Sequence, residues 1–231
     1  MKRLRTLVVS FFLAIIWYVS LSGPQACPEC LLDVARDILP SEGLEEILVK
    51  AQVQYKKNQS GFYHFLSAKN HDGWSPLMHY AAEGNQLAIT AILNAAKVFY
   101  QNNSKPIIRL LTDKDSQNRT VLYIAVERNR ADSVKALLQH ALAVFCSDKK
   151  AFEVFINTPD EDGWTPLHLA TYNNNKEIVK VLVETAARVF GKKSQQFYQF
   201  INHRDYDGVT PLFYAGRPED IILLTEYGAV T

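Results

Sequence analysis

The feature that most limits how this chain can fold is a short pattern that returns at a constant interval. The four copies read DGWSPLMHY (72–80), QNRTVLYIA (117–125), DGWTPLHLA (162–170) and DGVTPLFYA (207–215). The leucine that they share stands 45 residues further along in each copy, at Leu77, Leu122, Leu167 and Leu212. Self-similarity at a fixed period indicates a solenoid, in which each repeat stacks only on its neighbours.

The same interval relates positions outside the pattern, which tests the register independently. Counting back 45 residues at a time from Val179 gives Val134, Ile89 and Leu44, and from Ala186 it gives Ala141, Ala96 and Ala51. Within one unit, Val179, Leu182, Val183 and Ala186 have the i, i+3, i+4, i+7 spacing of one helix face. The sequence therefore predicts an amphipathic outer helix in every unit.

The pattern itself predicts a turn followed by a second, inner helix. Asp162 and Gly163 form a tight-turn dipeptide, in which glycine supplies a positive φ. Thr165 is a good N-cap and Pro166 suits the first helical position, where its missing N–H costs nothing. Leu167 and the small Ala170 then face the neighbouring helices.

The string DGWTPLHLA, followed by KEIVKVLVETA at 176–186, resembles the ankyrin repeat: a turn, a capped inner helix and an antiparallel outer helix. The resemblance is good over residues 70–231 and weak over 30–70. It implies an all-α, ankyrin-type helical solenoid with short β-turn or hairpin connections. It also implies a structural role for His168, which in this family ties neighbouring turns together through backbone hydrogen bonds.

Some positions depart from the family pattern. The second unit has Val121 in place of proline and Tyr123 in place of histidine. In the first unit, Met78 stands at the histidine position and Tyr80 at the small alanine position.

The repeat is also longer than an ankyrin unit, which runs to about 33 residues. The added residues repeat an i, i+3, i+4 apolar pattern, at Phe62, Phe65 and Leu66; Ile107, Leu110 and Leu111; Phe152, Phe155 and Ile156; and Phe197, Phe200 and Ile201. We predict an outer helix that runs through Phe145 or Phe190, a break at 147–150 or 191–194, and an extra short helix. The aromatic residues should enlarge the hydrophobic layer, with a ligand pocket between these helices as the alternative.

These patterns predict the division of the chain. The expected parts are a signal peptide at 1–22, an N-terminal segment with a degenerate capping repeat at 23–70, ankyrin repeats at 71–115, 116–160 and 161–205, and a C-terminal capping repeat at 206–231. In the degenerate repeat, CLLDVARDIL (30–39) is the predicted inner helix and 44–55 the predicted outer helix.

The first residues have the order of a secretory signal peptide. Lys2, Arg3 and Arg5 precede an apolar run from Leu7 to Leu21, which small and turn-forming residues follow. The run is shorter than the roughly 18 to 20 residues that span a bilayer comfortably. We therefore expect an exported protein, secreted or periplasmic, and an uncleaved single-pass membrane anchor is the alternative.

Two cysteines lie close together in the string CPEC, at Cys27 and Cys30, and Cys146 is left over. The register places Cys30 at the helix-capping position, which favours a structural disulfide with Cys27 at the N-terminal edge of the solenoid, since thiols pair in an oxidising compartment. A redox role, attachment and intermolecular pairing stay open. Two close cysteines are too few for a zinc site, which normally needs four ligands.

Charge and motif content argue against several classes of function. A net charge of +1 gives no concentrated basic surface for nucleic acid. The chain has no HExxH string, phosphate-cradling glycine loop or recognisable Ser, His and Asp arrangement. We expect no enzyme activity, no cofactor and no metal.

The resemblance to ankyrin repeats implies a scaffold that binds a protein partner, here an unknown one, through turn tips and inner helices. The corresponding positions are Trp74, Arg119 and Trp164 at exposed turn tips, and His79, Arg128 and Tyr214 on the inner-helix side, where Ile124 and Leu169 should also face the partner. Tryptophan and arginine dominate binding hot spots.

Three alternatives stay open. The tryptophans could instead pack against the neighbouring turn. A redox or small-molecule-binding protein that uses the CPEC cysteines or the extra-helix layer is the rival class of function. Membrane contact is expected only if the N-terminal segment is uncleaved, and we expect a monomer.

Overall fold

The computed structural model describes residues 41–101, 103–145 and 148–231. These residues belong to one compact unit, Pro40–Thr231. The predicted signal peptide, Cys27 with Cys30, the predicted helix at 30–39 and Cys146 all lie outside the described residues.

The described chain repeats a set of three helices, as the extended period predicts. The inner helices are α3 (Pro76–Glu83), α6 (Val121–Glu127) and α9 (Pro166–Tyr172). The outer helices are α1 (Ser41–Gln54), α4 (Gln86–Tyr100), α7 (Ala131–Val144), α10 (Lys176–Phe190) and α12 (Pro218–Glu226). The additional short helices are α2 (Gln59–Leu66), α5 (Lys105–Thr112), α8 (Lys149–Asn157) and α11 (Gln195–Ile201).

The inner helices begin where the sequence places them, because each has a side-chain cap. The hydroxyls of Ser75 and Thr120 accept from the amides three residues on, at 3.4 and 3.3 Å, and Thr165 caps α9. Proline occupies the first helical position at Pro76 and Pro166, where no intrahelical N–H is needed.

The breaks before the additional helices agree with the prediction in one unit and differ in another. The outer helix α10 ends at Phe190 and α11 begins after Ser194, so residues 191–194 are the break. The predicted break at 147–150 is wrong at its end, because α8 begins at Lys149. The Asp148 carboxylate accepts from the Ala151 amide at 2.9 Å and so caps the helix two residues earlier than expected.

The additional helices bury all but one of the aromatic residues that the pattern singled out, and Phe65 is partly buried. Phe62, Phe152, Phe155, Phe197 and Phe200 are all at most 1% exposed. The ring of Phe152 contacts the rings of Phe145, Phe155 and Phe190, at centroid distances of 5.5 to 6.2 Å. The aromatic residues therefore enlarge the hydrophobic layer between the outer and additional helices.

Each type of helix packs on the same type in the next unit. Inner helix α3 packs on α6, α6 on α9, and α9 on the last inner segment. Outer helices α1, α4, α7, α10 and α12 form a second row, and α5, α8 and α11 form a third. This stacking of like on like is what a solenoid requires.

The last unit is shorter than the others. Its inner segment is a single 3₁₀ turn, Pro211–Tyr214, and α12 begins seven residues after Pro211, whereas α10 begins ten residues after Pro166. The missing three residues leave no length for a full inner α-helix. Every helix of the described part of the chain falls short of the length and apolar character that a bilayer crossing requires.

Candidate partner-binding surface

One residue in each unit fixes the shape of the turn that precedes the inner helix. These turn-anchoring residues are Asn70, Asp115, Asp160 and Asp205. In each, the side-chain Oδ1 accepts from the backbone amides two and four residues later, at 2.8 to 3.1 Å. The sequence prediction missed them, although they recur at 45-residue intervals and the register alone would have found them.

A left-handed residue follows three positions after each anchor. Gly73, Gly163 and Gly208 have φ of 77°, 85° and 79°, and Asn118 has φ of 61°. A Cβ atom on Gly163 would lie 2.8 Å from the Tyr206 amide nitrogen in the next turn. Glycine there serves both the left-handed conformation and the close approach of neighbouring turns.

His168 connects two neighbouring turns, the role that the resemblance implies. Its Nδ1 accepts from the Thr165 amide at 3.2 Å, which leaves the proton on Nε2, and Nε2 donates to the Val209 carbonyl at 3.1 Å. His168 and Leu167 are fully buried. Burial lowers the pKa of His168 to about 4, so the ring is neutral near pH 7.

Where histidine is replaced, other side chains take the position. The hydroxyl of Tyr123 donates to Oδ2 of Asp160 at 2.5 Å, so Tyr123 also reaches the next turn. Burial, followed by the bond to Asp160, raises the pKa of Tyr123. Met78 is fully buried and fills the same place with an apolar side chain.

Trp74 and Arg119 are held more firmly than turn-tip residues were expected to be. The Trp74 ring is partly buried, and its Nε1 donates to Asp115 Oδ2 at 3.1 Å. The Arg119 side chain is only 15% exposed and pairs with Asp115 at 2.8 Å and with Glu127 at 3.0 Å. The expectation of an exposed Arg119 is therefore wrong, because both acidic partners draw it against the turn.

The predicted inner-helix positions differ in how much of each side chain is accessible. Arg128 is 54% exposed. The His79 side chain is 22% exposed, and its Nε2 lies 3.1 Å from Glu83 without forming a hydrogen bond. Ile124 and Leu169 are 0% and 9% exposed, so the expectation that they face a partner is wrong.

Three aromatic side chains meet in the third and fourth units, at Trp164, Tyr172 and Tyr214, which we call the aromatic cluster. Ring centroids lie 5.3 Å apart for Trp164 and Tyr172, 4.6 Å for Trp164 and Tyr214, and 6.3 Å for the two tyrosines. Tyr172 is 57% exposed. The sequence pointed to Trp164 and Tyr214 but not to Tyr172, whose equivalent in the second unit is the unrelated Glu127.

The turn anchor of the fourth unit holds the cluster in place. The Tyr214 hydroxyl donates to Asp205 Oδ2 at 2.7 Å. Burial raises the pKa of Asp205, but the hydrogen bonds from Tyr214 and the backbone amides outweigh it, so the pKa is lowered and the carboxylate is charged. The same hydrogen bond raises the pKa of Tyr214 to about 12.

No metal centre is found within the described ranges: no group of three or more His, Cys, Asp or Glu side chains there could hold an ion.

Comparison with protein families gives one match. The model for ankyrin repeats in three copies matches residues 42–149 and 140–230. A comparison with curated proteins gives no match.

Proposed function

Because this chain belongs to the ankyrin-repeat family, in which the repeats generally mediate contacts between proteins, we propose that it is a non-enzymatic scaffold that binds a protein partner. The proposed binding surface consists of the turn tips and the exposed ends of the inner helices. Fold alone does not determine which protein is bound.

The observation that carries this proposal is the ordered, aromatic character of that surface. Every turn is closed by its anchoring side chain, so little conformational entropy would be lost when a partner docks on it. Trp74 and Trp164 are partly buried yet retain accessible surface, with the exposed Arg128 and Tyr172 beside them. Tryptophan, tyrosine and arginine are the side chains that most often dominate binding energy.

We also propose that the protein is exported, as the charged and apolar order of residues 1–22 suggests. Sequencing the N-terminus of the protein purified from its native source tests this. A start between Gly23 and Cys27 supports export with cleavage, and an intact Lys2 supports a membrane anchor instead.

Affinity capture from the native source tests the binding surface. The double variant Arg128→Ala with Tyr172→Ala removes two exposed side chains of the proposed surface. The matched control, Val98→Ala with Tyr198→Ala, removes two exposed side chains of the outer and additional helices, which are 68% and 52% exposed.

We expect a partner that the wild type and the control retain and that the double variant loses. Equal retention by both variants would refute the proposed surface.

A further inference from the structure

Trp74 and Trp164 occupy equivalent positions two repeats apart, but their ring faces have different neighbours. The guanidinium carbons of Arg119 and Arg128 each lie 5.8 Å from the centroid of the Trp74 ring. This distance is within the range of a cation–π interaction. Within this chain, the ring face of a tryptophan at this position therefore accepts an arginine guanidinium group.

The corresponding cations are absent at Trp164 within the described residues. Val209 stands in the fourth unit where Arg119 stands in the second. Two nearby arginines donate to backbone carbonyl oxygens: Arg217 to that of Asn174 at 3.1 Å, and Arg204 to that of Gly208. No lysine or arginine of the described chain lies over a ring of the cluster.

The aromatic cluster is not closed on all sides, because its rings are inclined and one of them is exposed. The ring planes meet at 70° for Trp164 and Tyr172, 81° for the two tyrosines and 45° for Trp164 and Tyr214. The rings are therefore packed against one another at inclined angles and do not form a closed parallel stack. Tyr172 is more than half exposed, so a partner can reach the outer side of the cluster.

The charge around the cluster also favours a cation. The Asp205 carboxylate, which is 5% exposed, accepts from the hydroxyl of Tyr214 and adds negative potential at the hydroxyl end of that ring. The exposed side chains of Glu161, Asp162 and Asp207 lie in the two adjoining turns. His168, whose ring centroid is 6.4 Å from that of Trp164, is neutral near pH 7 and does not oppose them.

We propose that the aromatic cluster binds an arginine side chain of a protein partner, with the guanidinium group over Trp164 as Arg119 and Arg128 lie over Trp74. This inference rests on the proposed scaffold function and assigns the chemistry of one contact within it. The partner segment would carry arginine with few acidic neighbours, because the turns beside the cluster are acidic.

A peptide titration of the full chain tests the contact. The probes are acetyl-Ser-Gly-Arg-Gly-Ser-amide and two analogues with citrulline or lysine in place of arginine, and the readout is the indole N–H resonances of Trp164 and Trp74. We expect a saturable shift at Trp164 with the arginine peptide and affinity weaker by about tenfold for neutral citrulline, which has the same shape. Equal affinity for citrulline, tighter binding of the lysine peptide, or equal shifts at both indoles would overturn the proposal.

Three variants locate the binding site. Tyr172→Leu removes the exposed aromatic ring of the cluster and should weaken arginine-peptide binding by about fivefold or more. Tyr214→Phe keeps its ring and should bind nearly as well as the wild type. Tyr198→Leu, on α11, is the matched control. Thermal unfolding checks that each variant is folded, and unchanged binding by Tyr172→Leu would contradict the assignment.

The two proposals fail in different ways. If the double variant Arg128→Ala with Tyr172→Ala loses the captured partner while the arginine and citrulline peptides bind with equal affinity, the scaffold function stands and the arginine contact is wrong. If the arginine peptide binds at Trp164 but capture finds no protein that depends on this surface, the cluster does recognise arginine and the scaffold function is wrong.

Discussion

At the scale of single residues, the turns depend on a backbone conformation that only a few residue types accept. Gly163 and Gly208 have nearly the same positive φ, 85° and 79°. A Cβ atom on Gly163 would meet the Tyr206 backbone at 2.8 Å, whereas one on Gly208 would meet nothing within 4 Å. The pair separates the cost of the left-handed conformation from the cost of a steric clash.

We predict that Gly208→Ala lowers the free energy of unfolding by about 1 kcal/mol, the usual cost of the left-handed region for a residue with a Cβ. Gly163→Ala should cost about 1 to 3 kcal/mol more, because the neighbouring turn must also move. Urea unfolding of both variants measures the difference. Equal losses would show that the turns are not in close contact.

The buried His168 should make stability depend on pH. Its folded pKa of about 4 is below the ordinary value of 6.5, so the unfolded chain takes up a proton more readily than the folded one. The contribution of His168 to the free energy of unfolding is therefore fully present above pH 6.5. It decreases by about 3 kcal/mol as the pH falls towards 4. The lowered pKa values of His140 and His203 act in the same direction, and the raised pKa of Asp220 acts in the opposite one.

We predict that His168→Gln is less stable than the wild type at pH 7 but loses less stability between pH 6.5 and 4. Denaturant unfolding at several pH values measures the two slopes, and the other titrating groups cancel in the comparison. Parallel slopes would mean that His168 is not the neutral, buried ring described above.

At the scale of helices, the additional short helix is the main departure from an ordinary ankyrin unit. Its i, i+3, i+4 apolar pattern was visible in the sequence because helical periodicity is a local property. The end of the break before α8 could not be predicted from the sequence, because it depends on which of several polar residues caps the helix. The 3₁₀ turn at Pro211–Tyr214 was also missed, since the shortened spacing to α12 decides it.

Phe152 should contribute much of the stability of its unit. It is fully buried between three other phenylalanine rings, so Phe152→Ala should lower the free energy of unfolding by about 3 to 5 kcal/mol. Val154→Ala, on the same helix but 49% exposed, should change it by less than about 0.5 kcal/mol. Chemical denaturation of both variants measures this. Similar losses would show that α8 does not pack as described.

At the scale of the whole molecule, each unit contacts only its neighbours, so local stability should vary along the chain. Leu224 in the last unit and Leu137 in a central unit are both fully buried. We predict that Leu224→Ala speeds amide exchange at least about tenfold in residues 211–231 and leaves α6 and α7 protected, whereas Leu137→Ala speeds exchange in several units.

Hydrogen-exchange mass spectrometry at native pH measures both variants. Faster exchange throughout the chain in Leu224→Ala would show that the solenoid unfolds as one cooperative body.

The solenoid and the helix types of each unit were predictable from the sequence, because a fixed register repeats the same evidence several times. The candidate surface was predictable only in part. The burial of Arg119 depends on Asp115 and Glu127, and the aromatic cluster depends on Tyr172, at a position where no other unit has an aromatic residue. Each of these contacts depends on at least one residue that the repeat does not specify.

The anchoring of each turn by one side chain leaves the other tip residues free to differ. The position after the anchor is His71, Ser116, Glu161 and Tyr206 in successive units, and the fourth position after it is Trp74, Arg119, Trp164 and Val209. The backbone of all four turns is nevertheless alike, because the anchor bonds only to backbone amides, which do not depend on the side chains at these positions. The chain is therefore a natural template for a combinatorial library, in which these positions are randomised while the anchors and the left-handed residues stay fixed.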